Sequence, residues 1–175
     1  NFSGPNLGLH FGFTQPNYTL HDVLEGKIGA KKAIYEHASG LHVLPASLLS
    51  RKVNTSTFKQ EIHSLRNHYD FILLDSSPCM NEEILATINT SDELFVLSTP
   101  DYVTLASTMH ALKTAKQKKV RVAGIILNKL RGKKYELTMD QIEDVTKTPV
   151  VSLLSYDTKM LKAVSKTSPA ALLYS

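Results

Sequence analysis

Tyr69-Asp70-Phe71-Ile72-Leu73-Leu74-Asp75-Ser76-Ser77-Pro78 carries the chain's strongest chemical signal. Four large apolar residues end abruptly in a carboxylate, followed by small hydroxyl residues and a proline. Such a run suits a strand buried on both faces, as in a parallel sheet covered by helices. Asp75 then stands at the strand's carboxyl end, the rim where open α/β sheets bind ligands. A carboxylate there can hold Mg²⁺, usually through water, in a nucleotide triphosphatase. The plain alternative is a polar residue that merely ends a strand.

A second apolar run, Val122-Ala123-Gly124-Ile125-Ile126-Leu127, leads into Asn128-Lys129. An Asn amide offers an acceptor and donors in one plane, which suits bidentate pairing with adenine N6 and N7. Asn128 could equally start a turn or cap the next element. Placed on the same rim as Asp75, it favours the base-reading role.

Positioning these residues requires alternating strands and helices. Short helices are expected around 19–26 and 28–37, and a strand over 41–45. Thr55 or Ser56 is positioned to cap a helix through Phe58, Ile62 and Leu65. After the Asp75 strand, Asn81 caps a helix near 81–89, and Glu93 to Ser98 forms a strand closed by Thr99-Pro100-Asp101. A helix over 103–118 puts Leu105, Met109 and Leu112 on one face. The Asn128 strand precedes a helix near 138–146 with Met139, Ile142 and Val145. Pro149 starts a last strand, Val150 to Leu154, and Asp157 caps a helix carrying Met160, Leu161 and Val164. This alternation implies an α/β fold, a doubly wound, mostly parallel sheet in three layers with right-handed crossovers.

Asn6-Leu7-Gly8-Leu9-His10-Phe11-Gly12, Leu20-His21-Asp22-Val23-Leu24-Glu25-Gly26, Leu41-His42-Val43-Leu44-Pro45-Ala46-Ser47, the Asp75 run and Leu127-Asn128-Lys129 follow one another in this chain. In that order they resemble the motifs of MinD/ParA-type deviant Walker A ATPases, archaeal MinD-like proteins among them. The resemblance covers nearly all of the 175 residues and implies a single P-loop NTPase-like domain over 1–175. It implies an ATP-dependent, dimerising switch that positions cellular components such as a division site, a chromosome or a surface organelle. ATP and Mg²⁺ are the implied cofactors. A second copy and a regulatory protein are the implied partners, with a membrane surface or DNA as the implied scaffold.

Residue by residue, Asp75 is similar to the family's Walker B carboxylate, and Ser76, Ser77, Pro78 and Cys79 to its switch II. Thr99, Pro100 and Asp101 correspond to a partner or nucleotide edge. Ser155-Tyr156-Asp157 stands where relatives complete the base pocket, so Ser155 and Asp157 join Asn128 as expected nucleotide contacts. In bacterial relatives an acidic switch I residue lies five positions before the Asn of the Asn-Leu pair; here that position is Asn1. An amide orients water but cannot accept a proton as a carboxylate does, so Asn1 as the catalytic partner of Asp75 implies slow hydrolysis.

The family's KGGVGKT-type loop does not occur in these residues, and no Gly-rich stretch here precedes Lys and Ser/Thr. The chain therefore reads as an internal piece without the phosphate loop and the tail. In the family the phosphate-loop strand neighbours the Asp75 strand, so Phe71–Leu74 is expected to need added chain beside it. A non-catalytic interaction module with the same fold is the alternative reading. A metal-cluster or nickel-insertion ATPase of the superfamily is another, but it generally uses a Cys-x-x-Cys pair and this chain has 1 Cys.

Composition narrows the setting. Hydrophobic residues at 42% can supply a real core. One Cys allows no internal disulfide, which points to a reducing, cytoplasmic compartment. No apolar stretch approaches the ~18 residues that span a bilayer, which leaves peripheral membrane contact as the family implies it. The net charge of +4 is mild. Lys116-Gln117-Lys118-Lys119 and Arg131-Gly132-Lys133-Lys134 are expected to be solvated surface rather than a DNA footprint. The histidines show no HxH, HExxH or Cys/His spacing and read as scattered surface residues.

Overall fold

A computed structural model describes residues 6–49, 54–77 and 81–165. These residues fall into two compact units, one holding the residues up to Thr90 together with those from Lys159, the other Ser91–Thr158.

In the first unit, α1 is Leu7–His10 and α2 is Leu20–Leu24. The Asp22 carboxylate accepts the Thr19 backbone N–H at 3.0 Å and the Thr19 hydroxyl at 2.8 Å, fixing the entry to α2. His21 is fully buried on α2, and its Nδ1 accepts the Ser47 N–H at 3.0 Å. This corrects the expectation of surface histidines: an Nδ1 that accepts carries no proton, and the imidazole serves as a neutral linker.

The helix expected over 28–37 shrinks to a 3₁₀ turn at Ala30–Ala33. Tyr35–Glu36 (β1) instead pairs antiparallel with His42–Val43 (β2). Gly40, at φ +80°, turns the chain between them, and the Tyr35 hydroxyl exchanges hydrogen bonds with the Tyr18 backbone. Asn54 takes the capping role expected of Thr55 or Ser56, accepting the Ser56 N–H at 3.0 Å. A 3₁₀ turn, Thr55–Thr57, then leads into α3, Phe58–His63. Phe58, Ile62 and Leu65 are buried, as their i, i+4, i+7 spacing requires, with Leu20, Val23, Leu24, Ala30 and Ala33. Asn81 caps α4, Glu82–Thr90, through the Ile84 N–H at 3.1 Å, as expected.

Phe71–Leu74 differs from its expectation. Among the described residues it joins no ladder, although its exposure alternates with the period of a strand. Ile72 and Leu74 pack against the core, while Phe71 and Leu73 are 86% and 89% exposed. A strand needs a neighbour for its N–H and C=O groups, and none of the described strands lies along this segment.

The second unit follows the βαβαβ plan. Glu93–Ser98 (β3), Arg121–Leu130 (β4) and Val150–Ser155 (β5) form a parallel sheet in the order β3-β4-β5. The crossovers are α5, Tyr102–Gln117, and α6, Met139–Thr146. Ile125 and Leu127 of β4, Leu105 of α5, Ile142 of α6 and Leu137 of the loop before it make the buried core. On α5 the inward face is shifted from the expected one. Thr108 is buried and donates to Ser98 Oγ at 2.8 Å, while Met109 is exposed. A small hydroxyl residue fits against the strand end where a Met would not. On α6 only Ile142 is buried; Met139 and Val145 stay exposed. The last described helix is α7, Lys159–Ser165, which groups with the first unit.

Candidate functional site

Parallel strands end on the same side, so the residues after Ser98, Leu130 and Ser155 share one rim of the second unit. The rim is shaped by an irregularity in β4. Leu127 pairs with Leu153 and Leu130 with Ser155, so three steps along β4 face two along β5. Lys129 absorbs the surplus at φ +60°, and the Asn128 side-chain oxygen accepts the Lys129 N–H at 2.8 Å. Bulges of this kind re-aim a side chain at a sheet's end. Among the described residues nothing else bonds the Asn128 amide, leaving its NH₂ donors and an oxygen lone pair for a ligand.

Beyond the bulge, Tyr156 N–H donates to the Leu130 carbonyl at 2.7 Å and ties the loop after β5 to β4. Leu130, Arg131, Gly132, Leu153, Ser155 and Tyr156 line an open groove of about 610 Å³. The Arg131 guanidinium carbon sits 4.2 Å from the centre of the Tyr156 ring, a cation–π distance. Glu136 organises the intervening loop. Its carboxylate accepts the Arg131 N–H at 2.9 and 3.2 Å and the Lys133 N–H at 3.0 Å. The backbone N–H of Lys133 foremost, then those of Arg131 and Gly132 and the Arg131 charge, hold this carboxyl below its ordinary range, so it stays ionised.

At the end of β3, Asp101 caps the 16-residue α5 by accepting the Thr104 N–H at 2.8 Å. Its other oxygen takes the hydroxyls of Thr99 and Thr104. The Thr99 hydroxyl first, then the Thr104 N–H, lower the Asp101 pKa. Asp101→Ala is expected to cost about 1–2 kcal/mol of stability at neutral pH by removing a helix cap. The stabilisation is complete above the usual carboxylate range and is lost as pH falls through the lowered folded-state value. Denaturant midpoints of parent and variant should therefore converge in strong acid. A gap that stays constant from neutral to strong acid would deny the carboxylate this role.

The expected site residues divide between the units. Asn128 lies near the carboxyl end of β4 and Ser155, paired with Leu130, at the end of β5, both on the second unit's rim, with exposed Asp157 just beyond Tyr156. Asp75 belongs to the first unit, exposed, and is followed by half-buried Ser76 and buried Ser77. Asn1, Pro78 and Cys79 lie outside the described residues. Arg131 and Glu136 are the additions from the structure. Sequence reading took Arg131 as part of a solvated basic run; the Gly132 turn with Glu136 four residues beyond it was the available signal.

Among the described residues no group of three His, Cys, Asp or Glu side chains could enclose a metal. No helix among the described residues is long and apolar enough to cross a membrane.

Residues 13–127 match the AAA domain family. The chain belongs to that family, in its MinD/ParA-type branch. An uncharacterized ATP-binding protein of Methanocaldococcus jannaschii is 26% identical over 172 residues, covering 97% of this chain. The chain spans 65% of that relative's length. The cell division ATPase MinD of Pyrococcus furiosus superposes with a TM-score of 0.90 at 25% identity, over 97% of this chain and 73% of that one. The septum site-determining protein MinD of Pyrococcus horikoshii, solved as a complex with Mg-ADP, has a TM-score of 0.92 at 24% identity and shares the fold over 99% of this chain and 73% of that one. The parallel α/β fold of the MinD/ParA-type P-loop proteins is therefore this chain's fold.

Proposed function

We propose that the chain is part of an ATP-dependent, dimerising switch of the MinD/ParA type that positions cellular components. In this reading the second unit's rim holds the adenine: Asn128 pairs with its edge, while Ser155 and Asp157 border the pocket. Asp75 holds Mg²⁺ through water, and bound Mg²⁺ supplies charge neutralisation at the phosphates. Ser76 and Ser77 belong to the loop that responds to the γ-phosphate, and Asn1 orients the attacking water. ATP brings two copies together, ADP releases them, and a regulatory protein reads the difference on a membrane or DNA surface.

The observation that carries this reading is the β4 bulge, which leaves the Asn128 amide available near the carboxyl edge of a parallel sheet. Open α/β sheets bind nucleotides at that edge. Asn128→Ala in the full-length protein tests it. ATP binding should weaken by roughly 1–3 kcal/mol, and preference for ATP over GTP should disappear, because the base edge loses a bidentate partner. Unchanged affinity for both nucleotides would remove Asn128 from the base pocket.

A further inference from the structure

The loop between β4 and α6 is tied down more heavily than a solvated basic turn needs. Glu136 gathers the N–H groups of Arg131 and Lys133 onto one carboxylate. Gly132, at φ +66°, lets successive N–H groups converge on it, forming an anion-binding nest filled by the chain's own side chain. The backbone of Arg131 is thereby fixed, and its guanidinium is laid on the Tyr156 ring. Tyr156 is itself anchored through its N–H to the Leu130 carbonyl. The guanidinium carbon stands 4.2 Å over the phenol ring; Arg131 is otherwise exposed, and it lines the groove with Ser155.

We propose that Arg131 is the stacking platform for the nucleotide base and that Glu136 is its positioning residue. This rests on the nucleotide reading of the groove given above and adds the groups that hold the base's face, where Asn128 reads its edge. A guanidinium is flat, weakly hydrated and already ordered on an aromatic ring, so a purine stacks on its open face with little further loss of freedom. The larger purine ring gains more from such a platform than a pyrimidine does. Lysine keeps the charge at this position but not the plane. The carboxylate of Glu136, held below its ordinary range by the N–H groups around it, keeps the platform in place at any physiological pH.

Equilibrium binding to the full-length protein tests the proposal with ATP, CTP and inorganic tripolyphosphate as probes. Arg131→Lys should weaken ATP about tenfold while tripolyphosphate binding stays at the parental value, and it should narrow the gap between ATP and CTP. Glu136→Ala should show the same pattern, and Glu136→Gln, which keeps one acceptor oxygen, should recover part of it. A loss shared equally by ATP and tripolyphosphate would mean a structural role only and would overturn the assignment. So would variants that keep the parental ATP-to-tripolyphosphate ratio. A parental protein that binds tripolyphosphate as tightly as ATP would instead overturn the nucleotide reading itself, and this proposal with it. Arg131→Lys removes no backbone anchor, so it remains decisive should Glu136→Ala fail to fold.

Discussion

Asp75→Asn in the full-length protein should lower Mg²⁺-dependent ATP turnover by about a hundredfold while the fold survives. The size follows from the role: a carboxylate holding a metal ion through its water is an outer-sphere partner, and removing one such group typically costs 10–100-fold. Asparagine keeps the shape and a hydrogen-bonding oxygen but loses the negative charge facing the cation. The segment should keep its place because apolar side chains hold it. Tyr69, Ile72 and Leu74 pack against the first unit's core, and Ser77 is buried just beyond, whereas Asp75 is exposed. Turnover measured against Mg²⁺ concentration, alongside the denaturant midpoint, separates the two effects. A parental Mg²⁺ dependence in the variant would show that Asp75 only ends an apolar segment.

The second unit was legible because local and global signals agree there. Its strands are runs of Val, Ile and Leu bounded by turn residues, and its helices begin at Asp101 and Thr138, whose side chains cap as their types suggest. The first unit was less so. Residues 28–37 carry a helical pattern of small and basic residues, but Ile34 and Tyr35 favour extended backbone and the Gly40 turn lets Tyr35–Glu36 pair with His42–Val43. Met109 and Thr108 exchange roles because periodicity counts apolarity and not the room at the end of β3. Phe71–Leu74 shows the limit of the same argument: composition states that a segment wants burial, while a ladder needs a neighbour that none of the described strands supplies.

The site was legible in the same uneven way. Asn128 stands out because an amide ends an apolar run, yet the bulge that frees it is a register property shared between β4 and β5. Glu136 offers only its spacing, an acid four residues past Gly132. A single acid after a basic run reads as one more solvated charge until the N–H groups converging on it are seen.

Neighbouring positions on β4 should fail for opposite reasons, which probes the sheet that carries the rim. Ile125 is fully buried in the second unit's core; Ile125→Ala should cost about 3–4 kcal/mol through lost burial and a residual cavity. Gly124 faces the other side of the strand. A Cβ there would stand 2.4 Å from Val151 Cγ1 and 2.9 Å from the Pro149 carbonyl oxygen. Alanine in a strand is ordinarily better than glycine by roughly 0.5–1 kcal/mol. Overpacking against β5 should reverse that sign, giving a net cost of about 1–3 kcal/mol. The Pro149 carbonyl also accepts the Ile125 N–H at 2.8 Å, so moving it away strains the β4–β5 register. Combining each change with Val151→Ala distinguishes the two mechanisms. The smaller side chain should recover part of the loss in Gly124→Ala, with the remainder due to the carbonyl, and none of the loss in Ile125→Ala. Chemical denaturation of the two single variants, Val151→Ala alone and the two double variants measures the coupling directly. Gly124→Ala as stable as the parent would mean that β5 yields at this point, and with it the register that sets Ser155 beside Leu130.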